Sequence, residues 1–124
     1  MSVKNSDEIL RALLDTEITP ERDVRIKRFG IDFRVKALTD AEIRQAREQA
    51  TFGKKLDSDK LATLLIAKAC VVPDWTDKAV LDKFGPTPAD AVQKRLLSGE
   101  ISKLGDVILE LSGYGEDAIE DVKN

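Results

Sequence analysis

Residues 95–115, RLLSGEISKLGDVILELSGYG, combine four glycines with a lysine and three serines, the residue types that build phosphate-binding loops. A P-loop requires the spacing G-x-x-x-x-G-K-[ST] between a strand and a helix. Here five residues separate Gly99 from Gly105, and no Lys-Ser or Lys-Thr pair follows the second glycine. The spacing excludes a P-loop and instead predicts a helix bounded by glycines.

Side-chain chemistry supports a helix over about residues 98–112. Ser98 stands where an N-cap is expected, Glu100 places a negative charge near the positive end of the helix dipole, and Gly113 is placed to end the helix. One apolar face is predicted: Ile101, Leu104, Ile108 and Leu111. The interior Gly105 costs about 1 kcal/mol relative to alanine, which either close approach of another helix or a tolerated surface flaw would explain.

Two other features could support metal or nucleophilic chemistry. Asp57 and Asp59 resemble the start of a calcium loop, but Leu61 and Ala62 stand where an oxygen ligand and a glycine belong, so we interpret the two acids as helix caps. Cys70 is the single cysteine and there is no histidine, which excludes an internal disulfide and argues against a zinc site or a histidine-based triad. The sequence predicts no metal, no cofactor and no enzyme activity.

Composition predicts one ordinary domain. The chain has 124 residues, of which 42% are hydrophobic and 35% charged. Its apolar runs are short, which argues against a membrane location, and the cysteine usage fits a reducing cytoplasm. The net charge is −2 over residues 1–20, +4 over 21–55 and −5 over 56–124, a polarity that favours association of copies into an oligomer.

Alternating residues from Arg22 to Leu38 predict an antiparallel β-hairpin at about 22–37. The alternation assigns one apolar face and one strongly basic face: Arg25, Lys27, Arg34 and Lys36. The basic face suggests nucleic acid, but a pI near 5.1 and the lack of interleaved aromatic residues argue against that partner. An isolated hairpin must pack on helices or join strands of another copy.

Helical periodicity predicts the remaining elements, which gives a mainly α (α+β) fold with one hairpin near the N-terminus. A short helix at Asp7 to Leu14 carries an apolar stripe that includes Leu10 and Leu14, and a capping box from Thr39 to Glu42 starts the helix after the hairpin. Further helices are predicted at about 39–51, 57–72, 76–84, 88–97 and 98–112, followed by an acidic C-terminal segment that contains Glu116, Asp117, Glu120 and Asp121. Trp75 is expected either to plug a helix end or to anchor a partner.

Several sequence blocks resemble the XkdN-like tail assembly chaperones of long-tailed phages and prophages. Blocks similar to the start of that family are VRIKRFG (24–30), FRV (33–35) and LTDAE (38–42). Later blocks are CVVPDW (70–75), LDKFG (81–85), LSGEI (97–101), LSGY (111–114) and VKN (122–124). The resemblance covers residues 8–124, and its strength lies in the order and spacing of the blocks.

The resemblance implies a chaperone in the host cell cytoplasm that binds the hydrophobic tape measure protein and keeps it soluble. It also implies that the chaperone promotes polymerisation of the tail tube protein and is absent from the mature virion. A chaperone of helical clients needs an apolar groove. The predicted partner-binding residues are Leu10, Leu14, Trp75, Ile101, Leu104, Ile108 and Leu111. The alternative function is a structural head–tail connector or minor tail protein.

Overall fold

The computed structural model describes residues 6–16, 20–115 and 118–121. The helices in these ranges are α1 (Ser6–Asp15), α2 (Asp40–Gln49), α3 (Ser58–Ala69), α4 (Lys78–Phe84), α5 (Pro88–Arg95) and α6 (Ser98–Leu109). The strands are β1 (Glu21–Ile26), β2 (Ile31–Lys36), β3 (Thr51–Phe52), β4 (Lys55–Leu56) and β5 (Cys70–Val72). The predicted α+β class, mainly helical with an antiparallel hairpin near the N-terminus, is confirmed.

The hairpin of β1 and β2 begins and ends one residue earlier than the range predicted from sequence. Val24 lies opposite Phe33, and the turn at residues 27–30 ends at Gly30, whose φ of 68° suits glycine. Ile26, Phe33 and Val35 are buried against the helices. The apolar face of the hairpin therefore forms one wall of the core.

The opposite face of the hairpin is not the strongly basic surface that the alternation predicts. Arg25 pairs with Asp32, and Arg34 pairs with both Glu21 and Asp23. The register places Asp23 directly opposite Arg34 and Asp32 directly opposite Arg25, and Glu21 lies diagonally across from Arg34. The prediction was wrong because it followed the basic residues of each strand and not their cross-strand neighbours.

The sheet has a third strand that corrects the predicted helix at 57–72. That helix, α3, ends at Ala69, and β5 follows at once and pairs antiparallel with β2, placing Cys70 opposite Val35. Consecutive β-branched residues, Val71 and Val72, favour extended backbone at this position. Helical periodicity could not locate the end of α3, because apolar residues occur on both sides of it.

A second small hairpin, β3 with β4, occupies the region where the sequence predicts the end of one helix and the start of the next. The capping box of α2 is confirmed, because Thr39 Oγ1 accepts from the Glu42 N–H at 3.3 Å and the Glu42 carboxylate accepts from the Thr39 N–H at 3.0 Å. The helix then ends at Gln49, earlier than predicted, and Gly53 with a φ of 65° turns the chain between the two short strands.

The helix α3 lies at the centre of the core. Its residues Leu65, Ile66 and Ala69 have at most 1% of their surface exposed. It packs against α2, α5, α6 and β2. Asp57 is its N-cap, with one carboxylate oxygen accepting from the N–H groups of Asp59 and Lys60 at 3.1 Å. The two acids considered above for calcium thus serve the start of a helix.

The turn of the first hairpin is tied to the helices by Arg28. Its guanidinium donates to both carboxylate oxygens of Glu100, at 2.9 and 3.0 Å, and to the carbonyl oxygen of Arg95 at 3.1 Å. The guanidinium groups of Arg28 and Arg95 also lie 4.4 and 4.6 Å from the ring centre of Phe29. Bidentate and cation–π contacts of this kind fix the hairpin against α5 and α6.

The start of α6 differs by one residue from the predicted cap. Leu97 is the residue before the helix and Ser98 is its first helical residue, while the Glu100 carboxylate accepts from the Leu97 N–H at 2.8 Å. The interaction with Arg28 and this backbone hydrogen bond hold the pKa of Glu100 below its ordinary value. The negative charge predicted at the start of α6 is therefore present, and the Glu100 carboxylate that carries it is hydrogen-bonded to the backbone.

The end of α6 widens into one π-helical turn at Glu110–Tyr114, in which Gly113 adopts a φ of 100°. Ser112 Oγ donates to the Ile108 carbonyl at 2.6 Å and accepts from the Leu38 N–H at 2.9 Å, which joins this turn to the segment after β2. Of the predicted acidic C-terminal segment, Glu120 and Asp121 are exposed, and Glu116 and Asp117 lie outside the described residues.

The interior glycine of α6 is explained by close packing against α3. Gly105 is buried, and a Cβ placed on it would lie 3.5 Å from the Cβ of Ala62. That separation is an ordinary van der Waals contact, so the site has room for one methyl group and not for a longer side chain. The close approach of another helix, one of the two explanations left open above, is the one observed.

We expect Gly105→Ala to raise the free energy of unfolding by about 1 kcal/mol, because alanine removes the glycine penalty without a clash. Gly105→Leu should lower it by about 2 kcal/mol, because its side chain would force α3 and α6 apart. Urea unfolding followed by Trp75 fluorescence measures both changes. Equal destabilisation by the two variants would contradict the observed helix spacing.

Candidate partner-binding site

The apolar face of α1 is exposed along the whole helix. Every residue of α1 is exposed, and the exposed fractions are 51% for Ile9, 54% for Leu10 and 73% for both Leu13 and Leu14. At 100° per residue these four side chains fall within one arc of the helix. We call them the α1 face.

Four large apolar side chains in water carry an energetic cost that a partner would remove. Burial of apolar surface contributes about 25 cal/mol per Å², or roughly 1 kcal/mol for each half-exposed leucine that becomes covered. Contiguous apolar patches of this kind mark interaction surfaces more often than isolated exposed residues do. The α1 face, which includes the predicted Leu10 and Leu14, is therefore the first candidate site.

The predicted contact residues of α6 and of the turn after it divide into buried and half-buried positions. Leu104 and Ile108 have 1% and 0% of their surface exposed and belong to the core, whereas Ile101 and Leu111 are half-buried at its edge. The helical period was correct, but a period alone does not state whether the face meets the core or a partner. A partner cannot contact Leu104 or Ile108 in this conformation.

Trp75 also lies in the core, with 4% of its surface exposed. Its ring packs edge-on against Phe33 with the ring centres 6.4 Å apart, and Phe33 in turn stacks on Phe29 at 6.0 Å. The indole thus fills the space behind the sheet, in keeping with the packing role that was one of the two expected for it, and a partner could reach it only if the core opened.

A groove with a volume of about 590 Å³ lies between α3, α5 and α6. Leu61, Ile101 and Leu109 contribute half-buried apolar surface to it, and Gly105 lies beside them. Four acidic residues and one lysine also line the groove: Asp57, Asp59, Asp90, Asp106 and Lys60. Of these apolar residues only Ile101 is among the predicted partner contacts, because the groove joins three helices that are separated along the chain.

Two of the acidic groove residues also hold helix ends. Asp57 caps α3 as described, and the Asp90 carboxylate accepts from the Thr87 N–H at 3.4 Å while Thr87 Oγ1 accepts from the Asp90 N–H at 3.2 Å. This capping box starts α5. The negative rim of the groove is therefore partly a consequence of helix starts meeting on one side of the molecule.

The described residues contain no cluster of three or more side chains that could hold a metal ion. The glycine-containing segment considered for phosphate binding is helical from Ser98 to Leu109. Within the described ranges, no helix has the length and apolar character needed to cross a membrane. The candidate surfaces for function are the α1 face and the groove between α3, α5 and α6, which we call the acidic groove.

A comparison with protein families gives the class of protein to which these surfaces belong. A family model described as phage XkdN-like tail assembly chaperone protein matches residues 10–123. The chain belongs to this family. As a tail assembly chaperone it has protein partners in the assembly of phage tails. The match includes all of the groove and the part of α1 from Leu10 onward.

A solved structure supports the fold of the chaperone. The crystal structure of the protein YqbN, a structural genomics target, superposes with a TM-score of 0.67 and 18% sequence identity. The similarity covers 91% of this chain and 99% of that one. A search of curated proteins gave no match. The likeness to YqbN shows that the same fold is reached with few identical residues.

We expect Leu104→Ala in the chaperone to lower the free energy of unfolding by about 3 kcal/mol, because it leaves a cavity in the core. Leu10→Ala and Leu14→Ala should each change it by less than about 0.5 kcal/mol, because both side chains are already in water. Urea unfolding measures all three. A large loss of stability from either α1 variant would mean that the α1 face packs against the rest of the chain in solution.

The single cysteine offers a second check of the core. Burial raises the pKa of the Cys70 thiol to about 11, an effect that contact with Trp75 partly opposes. A higher pKa means less of the reactive thiolate at a given pH. At a pH of about 8 we expect a disulfide reagent such as Ellman's reagent to modify Cys70 at least roughly tenfold more slowly in the folded chaperone than in urea. Equal rates in the two states would contradict burial of the thiol.

Proposed function

We propose that this tail assembly chaperone binds the tape measure protein of its phage in the host cytoplasm and keeps it in solution. In this proposal the complex then promotes polymerisation of the tail tube protein, and the chaperone leaves before the virion matures. The supporting observation is the α1 face, a leucine-rich surface that is exposed in a member of a chaperone family. The family role is one of assembly and not of catalysis.

The α1 face suits a helical client. At a rise of about 1.5 Å per residue, the ten residues of α1 span about 15 Å, which matches nearly three turns of a client helix. Apolar side chains at positions i, i+3 and i+4 would contact Leu10, Leu13 and Leu14 in the manner of a helix pair. This contact would cover an apolar client segment that otherwise associates with other client molecules.

The acidic groove supplies a second contact of different character. Its apolar surface, which includes the sequence-predicted Ile101, is flanked by carboxylates and favours a client helix whose apolar stripe is bordered by lysine or arginine. Leu104 and Ile108 lie in the core and do not line this groove. Leu111, half-buried after the end of α6, is the remaining predicted contact.

The charged exterior would keep the proposed complex in solution. Charged residues make up 35% of the chain and its net charge is −3, so a client covered by several chaperones would carry a hydrated, mutually repelling surface. Exposed Glu120 and Asp121 contribute to this charge after the last helix. The client's apolar surface is replaced by the polar surface of the chaperone.

Co-expression with the tape measure protein tests the proposal. We expect the wild-type chaperone to move the tape measure protein into the soluble fraction and to co-purify with it. The double variant Leu10→Gln with Leu14→Gln should reduce the co-purified amount at least about fivefold, because glutamine preserves helix propensity and removes the apolar contact. Pull-down of the soluble fraction with a tag on the chaperone measures the effect.

A matched control replaces two residues on the other side of α1, Arg11→Gln with Ala12→Gln, and should bind as the wild type does. A tape measure protein that stays insoluble beside folded wild-type chaperone would contradict the proposed client. Equal loss from the two double variants would contradict the α1 face as the contact. Mass spectrometry of purified particles should find no chaperone, and its presence in stoichiometric amounts would favour a structural component of the virion.

A further inference from the structure

Among the described residues, the first strand of the sheet has a free edge. The strand order is β1-β2-β5, so β1 pairs with β2 on one side, and within the described residues no strand pairs with its other side. β1 is six residues long and contains no proline. The unpaired backbone groups along such an edge can accept a further strand.

We propose that β1 pairs antiparallel with β1 of a second copy, about a twofold axis that passes through Val24. In an antiparallel pair, successive residues point their backbone groups alternately toward and away from the neighbour. Two identical strands can therefore pair only in registers that place one residue opposite its own copy. Near the centre of β1 these registers are centred on Asp23, Val24 or Arg25.

Charge selects one of the three registers. Centring on Asp23 places two carboxylates opposite each other, and centring on Arg25 does the same with two guanidinium groups. Centring on Val24 instead places Asp23 of each copy opposite Arg25 of the other copy. Opposite charges directly across a strand pair stabilise it and like charges destabilise it. Of these three registers, only the one centred on Val24 joins the two copies without a like-charge pair.

The same register extends the charge pattern already present within one copy. Asp23 bonds to Arg34 at 2.9 Å, and Arg25 bonds to Asp32. In the dimer, one row of side chains would cross four strands. It would contain Arg34 and Asp23 of one copy followed by Arg25 and Asp32 of the other, so that the charges alternate in sign. The twofold axis generates the equivalent row on its other side.

Charged residues on an edge strand usually prevent edge pairing. In β1, Asp23 and Arg25 lie at equal distances on either side of Val24. Because the strand of a second copy runs in the opposite direction, Asp23 of each copy faces Arg25 of the other. A neutral or differently patterned edge would leave these charges unmatched. The edge is therefore self-complementary and specific for a second copy of this chain.

Charge-swapped variants test the interface. We expect the wild-type protein to dimerise in sedimentation velocity, and Asp23→Arg and Arg25→Asp, each alone, to dimerise at least about tenfold more weakly, because each places two like-charge pairs across the axis. An equimolar mixture should form a heterodimer, because the arginine introduced in one variant then faces the aspartate introduced in the other. Each variant also disturbs an ion pair within its own copy, but that loss is the same alone and in the mixture.

Cysteine cross-linking gives a measurement that does not depend on charge. Directly opposite residues in an antiparallel pair lie within disulfide distance, so Val24→Cys, a nearly isosteric change, should give a disulfide-linked dimer on mild oxidation. Val72→Cys is the control, because Val72 is 54% exposed on the other edge strand and would report random collisions. The wild type retains the largely buried Cys70 and should remain uncross-linked.

Three results would overturn the proposed dimer. One is a wild-type protein that stays monomeric at every concentration tested, and another is a variant mixture that associates no better than its components. The third is cross-linking of Val72→Cys equal to that of Val24→Cys. Circular dichroism of each variant confirms that the chain is folded before association is measured.

Discussion

The other elements of the fold depend on the packing of α3 in the core. This helix packs against α2, α5, α6 and the sheet, and its residues Leu65, Ile66 and Ala69 are almost entirely removed from water. Close approach of α6 to α3 requires a small residue such as Gly105, because a longer side chain at that position would meet Ala62. The groove exists because α5 and α6 both pack on α3 while leaving space between them.

The two helices with the clearest leucine stripes have opposite roles in the fold. The stripe of α6 closes the core, whereas the stripe of α1 stays in water. Hydrophobic burial is non-directional, so either stripe could in principle have covered the same surface. With Leu104 and Ile108 enclosed in the core, the α1 face remains available to another molecule. The proposed client binding depends on this division, since the client would need apolar surface that the folding of the chaperone has not used.

The charge distribution depends partly on local interactions and partly on the tertiary structure. Helix caps such as Asp57 and Asp90 are local, and they contribute the negative rim of the groove only because three helices meet there. On the outer face of the hairpin, cross-strand pairs match the guanidinium groups of Arg25 and Arg34 with carboxylates. This face of the hairpin is thus less basic than the alternating arginines and lysines of the sequence suggest.

The sequence determined the features that rest on neighbouring residues: the helical periods, the capping box at Thr39 and Glu42, the hairpin and, through its ordered blocks, the chaperone family. The tertiary structure decided where α3 ends, because β5 forms only when β2 is beside it to accept backbone hydrogen bonds. It also decided that Trp75, Leu104 and Ile108 are core residues while Leu10 and Leu14 are exposed. A periodic pattern fixes which residues share a face, and the position of the rest of the chain fixes what that face contacts. That difference explains why α1 and α6, so similar in pattern, differ in exposure.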